Sequence, residues 1–531
     1  MKKIYKITLF LSFLIGACNI SAQAIVNIPA STDPTMPTDI FDYIMGDTTA
    51  TGERNDNNTI YTLENGQVYI TTGRIVNKPE WTLHIEAVDL DDTVNKPIIA
   101  RIPNDSGTYP DIMRPEGNVT LKNIWFVVGE TGPLEQHEWG KIRYMGDDTR
   151  IIADHCIFEK DRGGFFQLRG NNIKLYITNC VLRNGGNRRV IQGNGRGVDA
   201  RDTALDTLVM RNTIVHNIQD RFFRSQGGTD PHNYVEIDHC TSFNTAGRHG
   251  FIQLGRVITA KITNNLFINP IMLGSSPVYT DEQTQPDNDL HKVITMDTLY
   301  DNTALTISNN NVFWTQDVKD YWASNDSVSA PGLLSTLVMD NLGAAAENAF
   351  FEEEVTLNSV PGTILQYVVD LYADPTAEDM FDFIVEDIAL AGTDFDSGNL
   401  FDFETFDPCY DETALSASSS LEGGAIGAVS FCEFLNTSSI EGEFNDALAL
   451  QISPNPVNQD LNLSFELPES SDVKISIIDM NGRVVSSLYQ NRMSAGPQFF
   501  TRNVSNRLST GVYFVALQTD HGIMTQKIIV Q

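Results

Sequence analysis

The stretch Ile173-Lys-Leu-Tyr-Ile-Thr-Asn-Cys-Val-Leu182 returns in outline as Met210-Arg-Asn-Thr-Ile-Val215, Ile237-Asp-His-Cys-Thr-Ser242 and Ile262-Thr-Asn-Asn-Leu-Phe267. Extended in both directions, the same register places Asn or His after an apolar strand at Asn123, His155, Asn179, Asn212, His239, Asn264 and Asn309. The next position holds Ile124, Cys156, Cys180, Thr213, Cys240, Asn265 and Asn310, and an apolar residue usually follows two further on. Spacings of 24 to 45 residues centre near one coil of a right-handed parallel β-helix with loops of variable size. The expected fold class is therefore all-β: a β-helical solenoid over residues 25–430, followed by a small antiparallel sandwich. His155 and His239 read as turn-forming members of the ladder, and Cys156, Cys180 and Cys240 as a stack of buried thiols.

A second ladder runs between the rungs of the first: Lys141-Ile-Arg-Tyr144, Phe165-Phe-Gln-Leu168, Val190-Ile-Gln-Gly193, Phe222-Phe-Arg-Ser225 and Phe251-Ile-Gln-Leu254. Alternation across a strand predicts Ile142, Phe166, Ile191, Phe223 and Ile252 inside. Outside, it predicts one column of Arg143, Gln167, Gln192, Arg224 and Gln253 and a neighbouring column of Lys141, Phe165, Val190, Phe222 and Phe251. Trp139, Gly163, Arg188, Asp220 and His249 precede these columns.

The chain has 531 residues, 69 of them acidic and 36 basic, for a formal net charge of -33. That balance disfavours nucleic acid and anionic membranes as partners. Between Glu138 and Lys261, however, 18 Lys or Arg face 13 Asp or Glu, so a local basic face points to an anionic ligand. Lys2, Lys3 and Lys6 precede an apolar run from Ile7 to Ile15 and small residues up to Ala24, the layout of a secretory signal peptide over residues 1–24. Cleavage near Ser21-Ala-Gln-Ala24 is preferred; a lipoprotein box ending at Cys18 is the alternative. No later run is long and apolar enough to span a bilayer. Residues 316–420 are acidic and poor in repeats, a flank or insertion on the last coils. Cys409 and Cys432 lie where a bridge could close the solenoid's end.

From 447 to 531, after a linker at 431–446, alternating strands such as Asp472-Val-Lys-Ile-Ser-Ile477 and Val512-Tyr-Phe-Val-Ala-Leu517 are separated by turns such as Asn481-Gly482, as in a small antiparallel sandwich. Ser453-Pro-Asn-Pro456, Asp479-Met-Asn-Gly-Arg483 and Gly511-Val-Tyr-Phe514 resemble the type A sorting domain of the Bacteroidetes type IX secretion system. The resemblance implies passage through the Sec pathway and then the type IX machinery, to a secreted or cell-surface location. The ladders, with Ile60-Tyr-Thr-Leu-Glu-Asn-Gly66 and Gly423-Gly-Ala-Ile-Gly-Ala428, resemble the pectin-lyase-like β-helix superfamily, in particular Bacteroidetes secreted members. That superfamily includes lyases, hydrolases, esterases and binding proteins, so fold alone leaves activity open.

The outward strip suits an acidic polysaccharide. Aromatic faces pack on sugars, glutamine amides bond hydroxyls and arginine forks clamp carboxylates. The candidate substrate-binding residues are Trp139, Lys141, Arg143, Phe165, Gln167, Arg188, Gln192, Arg221, Phe222, Phe251 and Gln253. The competing reading makes these the covering of a bare sheet face, with the phenylalanines beneath a loop. Arg248-His249-Gly250 resembles the Arg-His-Gly stretch of chondroitinase-B-like and alginate-lyase-like β-helix enzymes, in which the arginine acts near the leaving group. The lysine base of that family has no counterpart in Asp220-Arg-Phe-Phe-Arg224, so Arg224, Arg221 or His249 would take its place, and His249 has the best-suited intrinsic pKa. Catalytic candidates are accordingly Arg224, Arg248 and His249. Asp199, Asp202 and Asp220 are the carboxylates considered for Ca²⁺. The leading expectation is a polysaccharide lyase acting on an acidic glycan, the alternative a non-catalytic glycan-binding or adhesive protein.

Overall fold

The computed structural model describes residues 23–33, 36–102, 111–128, 142–161, 163–186, 195–247, 249–275, 289, 291–325, 328–360, 363–373 and 406–432 of the solenoid portion. Beyond it, the described residues are 450–453, 457, 460–467, 470–478, 484–503, 508, 511–519 and 522–530. The expected signal peptide, residues 1–24, therefore lies almost wholly outside the described residues.

Three parallel sheets wind around one core. The first has 10 strands, from Ile25–Ile28 to Ala304–Ser308; the second has 11, from Thr38–Asp39 to Phe350–Phe351; the third has 7, from Arg143–Tyr144 to Gly332–Leu334. Each coil pairs with the next in register, as when Ile177 lies beside Met210 and Met210 beside Ile237. The expected parallel β-helix is the observed fold.

The Asn/His ladder is a backbone requirement. Asn123, His155, Asn179, Asn212, His239, Asn264 and Asn309 all have φ between 45° and 59°, the left-handed region that Asn and His tolerate better than branched residues. They form the tight turn from the first sheet to the second. The position after them faces inward: Cys156, Cys180 and Cys240 are buried thiols, and the Asn265 Nδ2 donates to Ile237 O at 2.9 Å. A second left-handed column follows five residues later at Lys160, Asn184, Asn217, Asn244 and Asn269. Its amides bond coil to coil, Asn269 to Asn244 at 3.0 Å and Asn244 to Asn217 at 3.2 Å. Each such bond contributes about 1 kcal/mol net.

The acidic stretch after residue 316 closes the solenoid. Helices Gln316–Ala323, Thr336–Leu342 and Leu365–Ala373 turn Val318, Trp322, Val338, Tyr367 and Leu371 into the core. Residues 406–432 lie along the outside of the second sheet, where Phe406, Tyr410, Ala428 and Val429 pack with Ile157, Ile214 and Phe243. Gly427 N–H donates to Asn264 O at 2.7 Å and Leu421 N–H to Asn264 Oδ1 at 2.8 Å. Cys409 and Cys432 form a disulfide that staples this cover.

The C-terminal part has a three-stranded and a four-stranded antiparallel sheet and its own apolar core, including Leu463, Ile475, Val515 and Leu517. Among the described residues, no helix is long and apolar enough to cross a membrane.

Candidate functional site

The third sheet places charged residues on its outer face in a register that differs from the expected one. Arg143 pairs with Gln167, Gln167 with Asp199, Asp199 with Arg224, and Arg224 with Gln253. The column is Arg143, Gln167, Asp199, Arg224, Gln253. Asp199 stands where the sequence reading put Gln192, because the strand of that coil is Val198–Arg201 rather than the Val190 stretch. Just upstream, the coils align Gly195 with Asp220, whose N–H donates to Gly195 O at 3.2 Å, and Gly197 with Phe222. A Cβ on Gly197 would lie 2.4 Å from the Phe222 carbonyl oxygen, so glycine is needed for the coils to close there.

Asp220 is the hub. It is fully buried and accepts Arg196 Nε at 2.7 Å and Arg221 Nε at 3.4 Å, while His249 Nδ1 lies 2.9 Å from its Oδ1. Asp199 is the second hub, with Arg169 at 3.3 Å, Arg196 at 3.5 Å and Arg224 at 3.6 Å. Arg196 bridges the two carboxylates, and Arg221 Nη1 bonds Gln253 Oε1. Burial acts to raise the Asp220 pKa, but His249, Arg221 and Arg196 outweigh it and hold the carboxyl well below the usual range. Asp199 is likewise held down against its burial by Arg196, Arg224 and Arg169. Burial, with Arg196 and Arg221 alongside, pushes Arg224 down to about 9. His249 and Arg169 form the more open edge, with side chains 13% and 28% exposed against 1% for Arg221.

The structure thus gathers His249, Arg221, Arg224, Asp220, Asp199, Gln253 and Gln167 on one face, with Arg143 in the same column; His249 and Arg143 are half-buried and the other six are buried. Trp139, Lys141, Arg188, Gln192 and Arg248 lie outside the described residues. Phe165, Phe222 and Phe251 are corrected: all three are fully buried in the solenoid core, the Phe222 ring tilted against Phe251 at 5.4 Å between centroids and Phe251 edge-on to Phe267 at 5.1 Å. They precede the strands Phe166–Leu168, Phe223–Gln226 and Ile252–Gln253, so the two-residue alternation does not apply to them. They offer no rings to a sugar.

Among the described residues, the carboxylates considered for Ca²⁺ do not gather into an oxygen cage. Asp199 and Asp220 are committed to guanidinium groups, and Asp202 is exposed, in a left-handed turn. Calcium needs six to eight oxygen ligands, which a carboxylate shared among arginines cannot supply. Among the described residues, the grouping with metal-ligand spacing is Asp407, Cys409 and Cys432, and its two sulfurs are in the disulfide.

Sequence reasoning missed Arg169, Arg196 and Asp297. Arg196 could have been found from the Arg-Gly and Arg-Phe pairs that align Arg196-Gly197 with Arg221-Phe222, a signal hidden by the misplaced strand. Asp297 follows the strand Lys292–Thr295, which carries Thr295 rather than Gln or Arg at the ladder position and so did not stand out as a rung.

Residues 451–531 match the family described as secretion system C-terminal sorting domain. The chain therefore carries a sorting domain of the type IX system, fitting a secreted or cell-surface protein. No curated protein matches the chain. Among solved structures, a tailspike protein from Acinetobacter baumannii bacteriophage Fri1, described as a capsular polysaccharide depolymerase, is 10% identical; the match covers 87% of this chain and 76% of that one, with a TM-score of 0.25. An engineered protein is 11% identical over 51% of this chain and 54% of its own, with a TM-score of 0.12. Neither superposes closely enough to bear on the chemistry of this site.

Proposed function

We propose that the outer face of the third sheet takes an acidic polysaccharide outside the cell and cleaves it by β-elimination. The observation that carries this reading is His249 held by the buried carboxylate of Asp220, beside Arg196, in a basic stretch of a strongly acidic chain. A buried carboxylate on Nδ1 fixes the imidazole's orientation and makes Nε2 the proton acceptor. Arg169 and Arg224, anchored by Asp199, would neutralise the uronate carboxylate and so acidify the adjacent C5 proton. His249 takes that proton, C4=C5 forms and the C4–O4 bond breaks, the step for which the sequence resemblance offers Arg248 as the group acting on the leaving oxygen. The leader at residues 1–24 and the sorting domain supply the route outward, first by Sec and then by the type IX machinery.

The test is the ultraviolet absorbance of an unsaturated uronate. The protein is incubated with alginate, polygalacturonate, chondroitin and ulvan, beside His249→Ala. The expected result is product from at least one polymer and at least a 100-fold lower rate in the variant. Retention of a polymer on an affinity gel with no unsaturated product would instead support a binding protein and reject cleavage.

A further inference from the structure

The strand Lys292–Thr295 extends the third sheet by one coil, pairing Ile252 with Ile294 and Gln253 with Thr295. The ladder continues past it, for Asp297 N–H donates to Gly255 O at 2.7 Å. Thr295 pairs with Gln253 in the outer column, and Asp297, two residues on, reaches the same face through its hydrogen bond to the Gln253 side chain. His249 lies four residues before Gln253 on the preceding coil. His249 and Asp297 therefore flank the Arg224/Gln253 column from opposite sides.

The two are joined by side chains. The Asp297 carboxyl is hydrogen-bonded to Gln253, Gln253 Oε1 accepts from Arg221, Arg221 bonds Asp220, and Asp220 holds His249. Asp297 differs from the other two acids of the face. Asp199 and Asp220 are ion-paired to arginines at 3.6 Å or less, whereas Asp297 makes no such ion pair among the described residues, so that its buried Oδ1, unlike the equally unbonded Oδ1 of Asp199, has no guanidinium at that distance. Burying a carboxylate oxygen unpartnered is costly, and protonation relieves the cost. Burial accordingly moves the Asp297 pKa upward, against the opposing pull of Gln253 and Arg256.

We infer that Asp297 is the proton donor to the leaving O4 oxygen and that Gln253 positions it. This deepens the elimination reading and rests on it. The guanidinium groups of this face can polarise the leaving oxygen, but a guanidinium is a poor proton source; an un-ionised carboxyl is a good one. In the step, His249 gains the C5 proton and the C–H electron pair becomes the C4=C5 bond. The C4–O4 pair passes to oxygen, which takes the Asp297 proton. Solvent then reprotonates Asp297 and deprotonates His249, so no proton is consumed overall.

The experiment compares the full chain with Asp297→Asn and Gln253→Ala on the polymer found to be cleaved and on a uronate whose O4 carries an activated aryl group, so that an aryloxide leaves from C4. Asp297→Asn is expected to lose at least 100-fold in kcat on the polymer, to lose the alkaline limb of the pH profile, and to stay within about 10-fold of the parent on the activated substrate. With aspartate carboxyls labelled by carbon-13, the resonance absent from Asp297→Asn should titrate above the ordinary aspartate value of about 3.9, and higher still in Gln253→Ala. Equal losses on both substrates, an unchanged pH profile, or an ordinary titration midpoint would each overturn the assignment. If the parent chain cleaves no polymer, the elimination reading falls and this inference with it; if the parent cleaves and Asp297→Asn matches it, this inference alone falls.

Discussion

Acidification should loosen the solenoid through His232, and the size of the effect follows from its contacts. His232 opens the first-sheet strand His232–Asp238 and is buried. Its Nδ1 accepts the Leu205 N–H at 2.9 Å and its Nε2 lies 2.7 Å from Ser225 Oγ. The ring is thus held neutral, with Nδ1 as acceptor; protonating Nδ1 would set it against the backbone N–H. Burial pushes its pKa down to about 4 from 6.5. A base whose folded pKa is depressed gives stability that is complete above the unfolded value and is lost as pH falls from 6.5 toward 4. The full loss is about 3.4 kcal/mol, and at pH 5 about 2 kcal/mol is already gone. Hydrogen exchange at the Leu205 amide reads this locally, since repeat proteins open coil by coil. After correction for intrinsic exchange, protection should fall by roughly 30-fold between pH 7.5 and pH 5, with a clearly smaller change in His232→Gln. Equal pH dependence in parent and variant would refute the reasoning.

Asp220→Asn should destabilise the chain by about 3–5 kcal/mol, because Arg196 and Arg221 are left buried without their shared carboxylate; a melting temperature equal to the parent's would contradict it. Phe222→Ala should cost about 3–5 kcal/mol by leaving a cavity beside Phe251 and Phe267. Polymer affinity of the folded fraction should be unchanged, and a selective loss of affinity would restore that ring to the sugar site. Replacing both Cys409 and Cys432 by serine opens a bridge spanning 23 residues, which should cost about 3 kcal/mol. Proteolysis should then begin within residues 406–432, and cleavage unchanged from the parent would show that the second-sheet contacts suffice.

The solenoid was legible because its turn has a steric rule. Seven coils need a left-handed residue at one point, and Asn or His fills it each time. The companion column five residues on was equally regular at Asn184, Asn217, Asn244 and Asn269, and could have been read by carrying the offset forward. The third sheet was less legible because its strands are short and variably spelled. Val198-Asp-Ala-Arg201 shares no residue type with Phe166-Gln-Leu168 at the outward position, whereas Val190-Ile-Gln-Gly193 mimics it. That single misplacement hid Asp199 and Arg196 from the site. Phe165, Phe222 and Phe251 misled for another reason: a residue in the turn before a strand can face the core beside its inward-facing successor. Ion pairs such as Arg196 with Asp220 join residues 24 apart, a pairing fixed by coil length rather than by any local motif.

The central claim is that the charged outer face of the third sheet holds an acidic glycan. Arg169 is the most direct probe, because its side chain is more open than that of Arg196 or Arg224. Calorimetric titration of the parent and Arg169→Glu with polygalacturonate and alginate, at low and at physiological salt, is the deciding measurement. The account expects binding of at least one polymer, weakened by salt and at least 10-fold weaker in a normally folded Arg169→Glu. Equal affinity in the two proteins, or no affinity in either, would contradict it.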